Sequence, residues 1–220
     1  MLLNSHFQSQ CSAFPTARSV PQASNPDLGF HHFDSITPAH VQQILSKLPS
    51  RKSPGADRIT NEILKAAAVS IADALSRIFN NSLSSGIFPD VWKLATTSPI
   101  HKSGKDQTQP VSYRPIALLS CVSKVLERVV HEQLLQYCLN NKVIPDEQFG
   151  FIPGRSVEWQ LLTTLENWQV ALDKHNHVHA VFLDAAKAFD RVDHQVLLNY
   201  PRLVWVTLFS RGLRAISAAV

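Results

Sequence analysis

Residues 182–190, which read FLDAAKAFD, decide the fold predicted for this 220-residue chain. Residues 177–184, which lead into this stretch, alternate apolar and β-branched side chains, a pattern typical of a buried strand. The strand is expected to end at Asp184, where the chain turns into a helix. An acid at the tip of a buried strand can hold a divalent metal ion against a phosphate, because Mg²⁺ prefers carboxylate oxygens. The alternative role for a lone aspartate is a helix cap or an ion pair.

Upstream of this motif, residues 92–116 predict a basic β-hairpin. Residues 92–102 and 113–116 carry β-like patterns, and the polar loop at 103–110 joins them. Lys102 and Arg114 would then lie on adjacent strands, where two cations can clamp phosphate groups. A solvated basic surface is the alternative. Between positions 91 and 130 the chain has two acids and six basic residues, namely Lys93, Lys102, Lys105, Arg114, Lys124 and Arg128.

Apolar side chains at helical spacing predict the other elements. Thr37 is expected to cap the first helix and Pro49 to end it, and the length of the second helix permits a break near Val69. Ser156 is expected to cap the fourth helix. The predicted helices cover residues 37–48, 60–84, 120–140 and 157–173, and a short fifth helix follows Asp193. The core face of the fourth helix is expected to hold Leu161, Leu162, Leu165, Trp168 and Leu172.

The composition is that of a globular protein, with 45% hydrophobic and 17% charged residues. The length suits one domain or one and a half, and the net charge of +4 is compatible with nucleic acid without being diagnostic. The three cysteines lack CxxC spacing, so neither a disulfide framework nor a zinc site is expected. No signal peptide or membrane-spanning apolar run is visible, which predicts an intracellular protein, nuclear or cytoplasmic, with no membrane partner.

Four ordered blocks carry a resemblance to a known family. They are residues 53–57 (SPGAD) with 63–65, residues 99–105 (PIHKSGK) with 112–120 (SYRPIALLS), residues 148–156 (QFGFIPGRS), and residues 182–190 with 192–194 (VDH). In this order they resemble the reverse transcriptases of non-LTR (LINE-type, jockey-like) retrotransposons over about residues 37–199. They are similar to that family's N-terminal extension block, its two fingers motifs and its first catalytic motif.

The resemblance implies an α+β fold: the fingers and partial palm of a right-hand polymerase, helix-rich and with an incomplete palm sheet. It also implies RNA-directed DNA polymerase activity, a nucleotidyltransferase reaction that uses an RNA template, a DNA primer, dNTPs and Mg²⁺. The family's Tyr-x-Asp-Asp hairpin has no counterpart, because no two aspartates are adjacent anywhere in the sequence. We therefore expect a truncated fragment that is inactive alone. The alternatives are a non-catalytic RNA or RNA–DNA binding module and a non-functional product of a decayed element.

The resemblance also assigns roles to the catalytic motif and the hairpin. Asp184 is the catalytic residue and a metal ligand, and the backbone carbonyl of Leu183 or Ala185 is a further candidate ligand. Phe189 is expected to pack under the sugar of the incoming nucleotide and to disfavour a 2′-hydroxyl, and simple packing in the core is the alternative. The candidate contacts to its triphosphate are Lys102 and Arg114.

A second set of residues is expected to contact nucleic acid. Its basic members would bind template phosphates without reading sequence, and its glycine permits a close approach of the backbone. A solvated surface is the alternative for each basic residue. Related enzymes usually carry Arg where this chain has Ile152, a departure that removes one cation from the loop. The set is Arg51, Lys52, Lys65, Gln148, Gly150 and Arg155.

Three regions follow from these observations. Residues 1–36, rich in Ser, Gln, Pro and Asn, predict a flexible leader. Residues 37–199 correspond to the N-terminal part of a reverse transcriptase domain. Residues 200–220 predict a divergent tail, because Tyr200 and Pro201 interrupt the helical pattern that begins at Val196. A shifted reading frame is one explanation for this tail, and a genuine divergent C-terminus is the other.

Overall fold

The computed structural model describes residues 3, 5–7 and 33–185. These residues fall into two compact units, of which the first includes residues 33–133 and the second residues 134–185. The predictions for Phe189, for the helix after Asp193, for most of the leader and for the tail at 200–220 lie outside the described residues.

Three helices precede the hairpin, namely α1 (Pro38–Ser46), α2 (Asn61–Ala66) and α3 (Ala68–Ser85). Thr37 caps α1 as predicted, since its Oγ1 accepts a hydrogen bond from the backbone N of His40 at 3.2 Å. The long predicted helix is interrupted at Ala67, close to the break that its length permits. Gly86 ends α3 in the left-handed conformation, with φ of 66°, which glycine adopts without steric cost.

The hairpin consists of β1 (Thr96–His101) and β2 (Tyr113–Leu118), which pair antiparallel. The prediction that the first strand begins at Trp92 is wrong, because Asp90–Trp92 forms a short 3₁₀ turn. The Trp92 ring is buried and packs edge-on against Phe79 and Phe88, with centroid distances of 5.9 and 5.8 Å. Packing in the core therefore takes this residue out of the strand that its β propensity favours.

The core of the first unit joins α1, α2, α3 and the first half of α4 (Cys121–Asn140). Its largest fully buried side chains include Phe79, Leu45 and Leu126. Full burial of one such side chain contributes about 1.5–3 kcal/mol. This core supports the hairpin, because β2 leads through two residues into the buried start of α4.

The second unit contains α5 (Val157–Asp173), with the bounds that the sequence predicts. Ser156 caps it, since its Oγ accepts a hydrogen bond from Trp159 N at 3.3 Å. The predicted core face is wrong, because no residue of α5 is buried within the described part of the chain. The spacing of the leucines defines an apolar face, but no other element of the described second unit covers it.

The predicted strand at residues 177–184 is also absent from the structure. Residues 176–185 have no regular secondary structure, and Val181, Phe182 and Leu183 are between 81 and 93% exposed. A strand needs a partner for its backbone N–H and C=O groups, and among the described residues β1 and β2 pair only with each other.

The α+β fold class is confirmed, with helices predominating over one small antiparallel sheet. No helix in the described part of the chain is both long and apolar enough to cross a membrane.

Candidate nucleic-acid interface

The register of the hairpin brings Lys102 and Arg114 to one face. Arg114 is paired with Ile100, and Lys102 follows the end of β1, where its backbone N donates to Ser112 O at 2.7 Å. Residues two apart on a strand point to the same side, so Lys102 shares a face with Ile100 and with its partner Arg114. Arg114 therefore lies on β2, whereas Lys102 lies one residue beyond the end of β1, so the predicted first strand ends one residue earlier than expected.

The two cations differ in their surroundings. Lys102 is half-buried, and its Nζ donates to the carbonyl oxygen of Val111 at 2.7 Å. An ammonium has three donors, so this bond fixes its position and leaves two donors for an anion. The Arg114 side chain is exposed, and it makes no hydrogen bond or ion pair with the described residues. Its planar guanidinium can therefore bind a phosphate in the bidentate manner that suits arginine.

The tip of the hairpin is held by contacts among its own residues. His101 and Tyr113, which face each other in the register, pack edge to face with ring centroids 5.2 Å apart. The Tyr113 hydroxyl donates to Gln107 O at 3.0 Å. Asp106 accepts bonds from both the backbone N and Oγ1 of Thr108, at 2.9 and 2.8 Å. These bonds, the backbone one first, hold the pKa of the Asp106 carboxyl below its ordinary value.

Sequence reasoning missed the role of His101 and Tyr113 in holding the hairpin. An aromatic ring at each end of the loop, directly before Lys102 and Arg114, was the signal that could have revealed it. Facing aromatic side chains stabilise antiparallel pairs.

A second basic segment lies between α1 and α2. Arg51 and Lys52 are exposed there, and Lys65 is exposed on α2. Arg51 has a left-handed backbone, with φ of 59°, and its N–H donates to Glu62 Oε1 at 2.6 Å. This bond is the largest cause that lowers the pKa of Glu62 below its ordinary value. The ionised Glu62 therefore lies beside the predicted template contacts and offsets part of their positive charge.

The loop between α4 and α5 holds the remaining predicted contacts. Gly150 is exposed, and the Gln148 side chain donates from Nε2 to Gly150 O at 2.9 Å. Arg155 instead points into its own loop, where Nη1 donates to three backbone carbonyls and Nη2 lies 3.1 Å from Asp146 Oδ1. Ile152 is half-buried.

The acidic motif lies at the end of the described second unit. Leu183, Asp184 and Ala185 are all exposed and irregular. Within the described residues, no group of three or more His, Cys, Asp or Glu side chains could hold a metal ion. A single exposed carboxylate does not fit the oxygen ligand set that Mg²⁺ requires. The described residues therefore do not form a magnesium site by themselves.

Comparison with known proteins agrees with this arrangement of motifs. The profile of the reverse transcriptase (RNA-dependent DNA polymerase) family matches residues 100–206. The chain is 40% identical over 167 residues to a probable RNA-directed DNA polymerase from transposon BS of Drosophila melanogaster, over 74% of this chain and 18% of that protein. It is 36% identical over 164 residues to the RNA-directed DNA polymerase from mobile element jockey of the same species, with the same coverage.

Two further relatives extend the comparison. The chain is 35% identical over 179 residues to a probable RNA-directed DNA polymerase from transposon X-element of Drosophila melanogaster, over 81% of this chain and 19% of that protein. It is 28% identical over 164 residues to an uncharacterized 149 kDa protein of transposon TX1 from Xenopus laevis, over 74% of this chain and 12% of that protein. The chain thus spans less than a fifth of the length of these relatives, and it belongs to the reverse transcriptase family of non-LTR retrotransposons.

Proposed function

We propose that this chain supplies the fingers and the first catalytic motif for RNA-directed DNA synthesis by a non-LTR retrotransposon. Its partners are an RNA template, a DNA primer and the incoming dNTP. The observation that carries this proposal is the hairpin, where Lys102 and Arg114 share one face in a chain that belongs to a polymerase family.

The hairpin has the chemistry that a nucleotide triphosphate or a phosphate backbone requires. Cations that are fixed before the ligand arrives stabilise negative charge without reorganisation. Lys102 is anchored by Val111 and the strands are anchored by His101 and Tyr113. Arg114 then adds a planar donor fork on the same face. Lys102 and Arg114 are therefore the proposed triphosphate contacts, and Arg51, Lys52 and Lys65 the proposed template contacts.

Asp184 is the carboxylate that this chain would contribute to a Mg²⁺ site, with a carbonyl of Leu183 or Ala185. Catalytic phosphoryl transfer by two metal ions needs several carboxylates, and the sequence holds no adjacent aspartate pair. We therefore propose that the 220-residue chain binds primer–template but does not extend a primer alone.

Primer extension tests this proposal. The purified 220-residue chain is incubated with a labelled RNA-templated DNA primer, dNTPs and Mg²⁺, beside its Asp184→Asn variant. We expect no extension by either protein, while both bind the primer–template with equal affinity. Magnesium-dependent extension by the wild-type chain that is lost in Asp184→Asn would show that the chain is a complete catalyst.

A non-catalytic nucleic-acid binding module is the second candidate function. It is favoured by the hairpin, which forms entirely within the first unit and uses none of the acidic residues of the second. If the chain binds RNA–DNA duplexes and shows no extension when a longer polymerase segment is added, this second function describes it better.

A further inference from the structure

The Arg155 guanidinium is enclosed by the loop between α4 and α5. Its Nη1 lies 3.1 Å from Pro145 O and 2.7 Å from both Asp146 O and Gln148 O, and Nη2 lies 3.1 Å from Asp146 Oδ1. The guanidinium carbon also lies 5.9 Å from the centre of the Phe149 ring. Only 24% of the Arg155 side chain is exposed, although residues 146–148 are exposed themselves.

These contacts of Arg155 fix the conformation of the loop. Charge-assisted hydrogen bonds are shorter and stronger than neutral ones, and here they converge on the carbonyls of one short segment. The turn is closed further by a hydrogen bond from Arg155 N to Ile152 O at 3.2 Å. A cation whose Nη1 faces three carbonyls is poorly placed to reach a phosphate as well.

The same loop holds Phe151 in an unfavourable backbone conformation. Phe151 has φ of 64° and its side chain is 89% exposed. A left-handed backbone is costly for a bulky residue and persists only where the surroundings enforce it. Such conformations concentrate at functional sites. An exposed aromatic ring offers a face on which nucleic-acid bases stack regardless of sequence.

We propose that Arg155 is a positioning residue that clamps the loop, and that the clamped loop displays Phe151 to stack on an unpaired base of the RNA template. The proposal rests on the function proposed above for its choice of ligand. It assigns nucleic-acid contact in this loop to an aromatic ring and removes Arg155 from the phosphate contacts.

Binding of a fluorescein-labelled single-stranded RNA 12-mer to the 220-residue chain tests the stacking role. We expect Phe151→Ala to weaken binding about 5- to 160-fold, the range that loss of one base–aromatic stack of about 1–3 kcal/mol produces. The slope of log affinity against log salt stays the same because no phosphate contact is lost. Phe151→Tyr, which keeps the ring, restores the affinity. Trp159→Ala, which removes another exposed aromatic residue of the same unit, is the matched control and leaves the affinity unchanged.

Amide hydrogen exchange of the free protein tests the clamp without any ligand. We expect Arg155→Gln to accelerate exchange at residues 146–154 at least tenfold and to weaken RNA binding with no change in the salt slope. A slope that falls by about 0.7, the value for one phosphate contact on a single strand, together with unchanged exchange would overturn the clamp.

The two proposals fail in different ways. If the chain binds primer–template but Phe151→Ala binds the 12-mer as well as wild type, the stacking inference is wrong and the proposed function stands. If the wild-type chain binds neither nucleic acid, both are wrong.

Discussion

Gly55 approaches the backbone after β2 so closely that a side chain could be added only if the backbone shifted. It is buried, and a Cβ added there would lie 2.5 Å from Ser120 N and 2.7 Å from Leu119 C, between β2 and α4. The neighbours are backbone atoms, which cannot turn aside as a flexible side chain does. The Pro54–Gly55 turn thus fixes residues 53–57 against the end of the strand that carries Arg114.

Replacing Gly55 by alanine is expected to destabilise the first unit by about 1–3 kcal/mol, the usual cost of forcing an extra carbon into a packed site. Urea unfolding followed by circular dichroism measures the change. Gly150→Ala is the control, because its Cβ would meet only the flexible Gln148 side chain, at 3.5 Å. Equal stability of Gly55→Ala and wild type would show that this close approach does not exist.

Glu127 on α4 makes the stability of the folded state depend on pH. Burial is the largest influence on it and raises the pKa of its carboxyl above the ordinary value, against a smaller opposing effect of Ser123. The folded state therefore favours the protonated form, while the unfolded chain ionises at the ordinary pKa. Stability is lost as the pH rises from the unfolded pKa to the folded pKa, and the penalty persists at neutral pH.

Glu127→Gln is consequently expected to raise the urea midpoint at pH 7 and to leave it nearly unchanged at pH 4, where the folded carboxyl is mostly protonated. Glu166→Gln, which removes an exposed carboxylate and changes the net charge equally, serves as the control. A midpoint for Glu127→Gln that is lower than wild type at pH 7 would contradict the assignment of burial as the dominant influence.

At the scale of elements, the Asn80 side chain on α3 holds the segment that precedes α1 through two hydrogen bonds. Its Oδ1 accepts from Ile36 N at 2.8 Å and its Nδ2 donates to Ile36 O at 2.9 Å. Ile36 is buried in the core. Both backbone groups of a buried residue thus depend on one amide side chain, which links the start of α1 to the middle of the core.

Asn80→Ala is expected to cost about 1–3 kcal/mol, because it leaves buried backbone groups without their partner. Thermal or urea unfolding measures the loss, and Asn81→Ala on the exposed side of α3 is the matched control. A similar effect of the two substitutions would show that the double hydrogen bond contributes nothing beyond helix propensity.

The elements differ in how far the sequence could predict them. The bounds of α5 follow from local signals, namely the Ser156 cap and the apolar spacing. Its burial, and the strand expected at 177–184, depend on partner elements, and within the described residues no element covers the helix or pairs with the strand. Trp92 shows the reverse case, since packing against Phe79 and Phe88 overrides a local β pattern.

The candidate site likewise has one feature that the sequence predicts and one that it does not. The placement of Lys102 and Arg114 on one hairpin was predictable, because it follows from two β-like runs around a polar loop. The orientation of Arg155 was not, since it depends on the backbone conformation of residues 145–154 and on which carbonyls that conformation turns inward. Residue type and the family resemblance alone suggested a nucleic-acid contact for Arg155.

At the scale of the whole molecule, the proposed binding energy is largely electrostatic. The chain carries a formal net charge of only +4, so specific placement of cations has to contribute more than total charge. In the first unit the hairpin places Lys102 and Arg114 together, while Arg77 on α3 is paired with Asp73 at 2.9 Å. Asp73 therefore offsets part of the positive charge of Arg77, whereas the Arg114 side chain has no ion-pair partner among the described residues.

The most direct test is the binding of a dNTP to the 220-residue chain in the presence of primer–template. Lys102→Ala combined with Arg114→Ala is expected to weaken dNTP binding and to leave primer–template binding unchanged, because these two side chains are the proposed triphosphate contacts. Arg77→Ala should leave both affinities unchanged. A double variant that binds the dNTP with wild-type affinity would contradict the assignment of the hairpin as the triphosphate site.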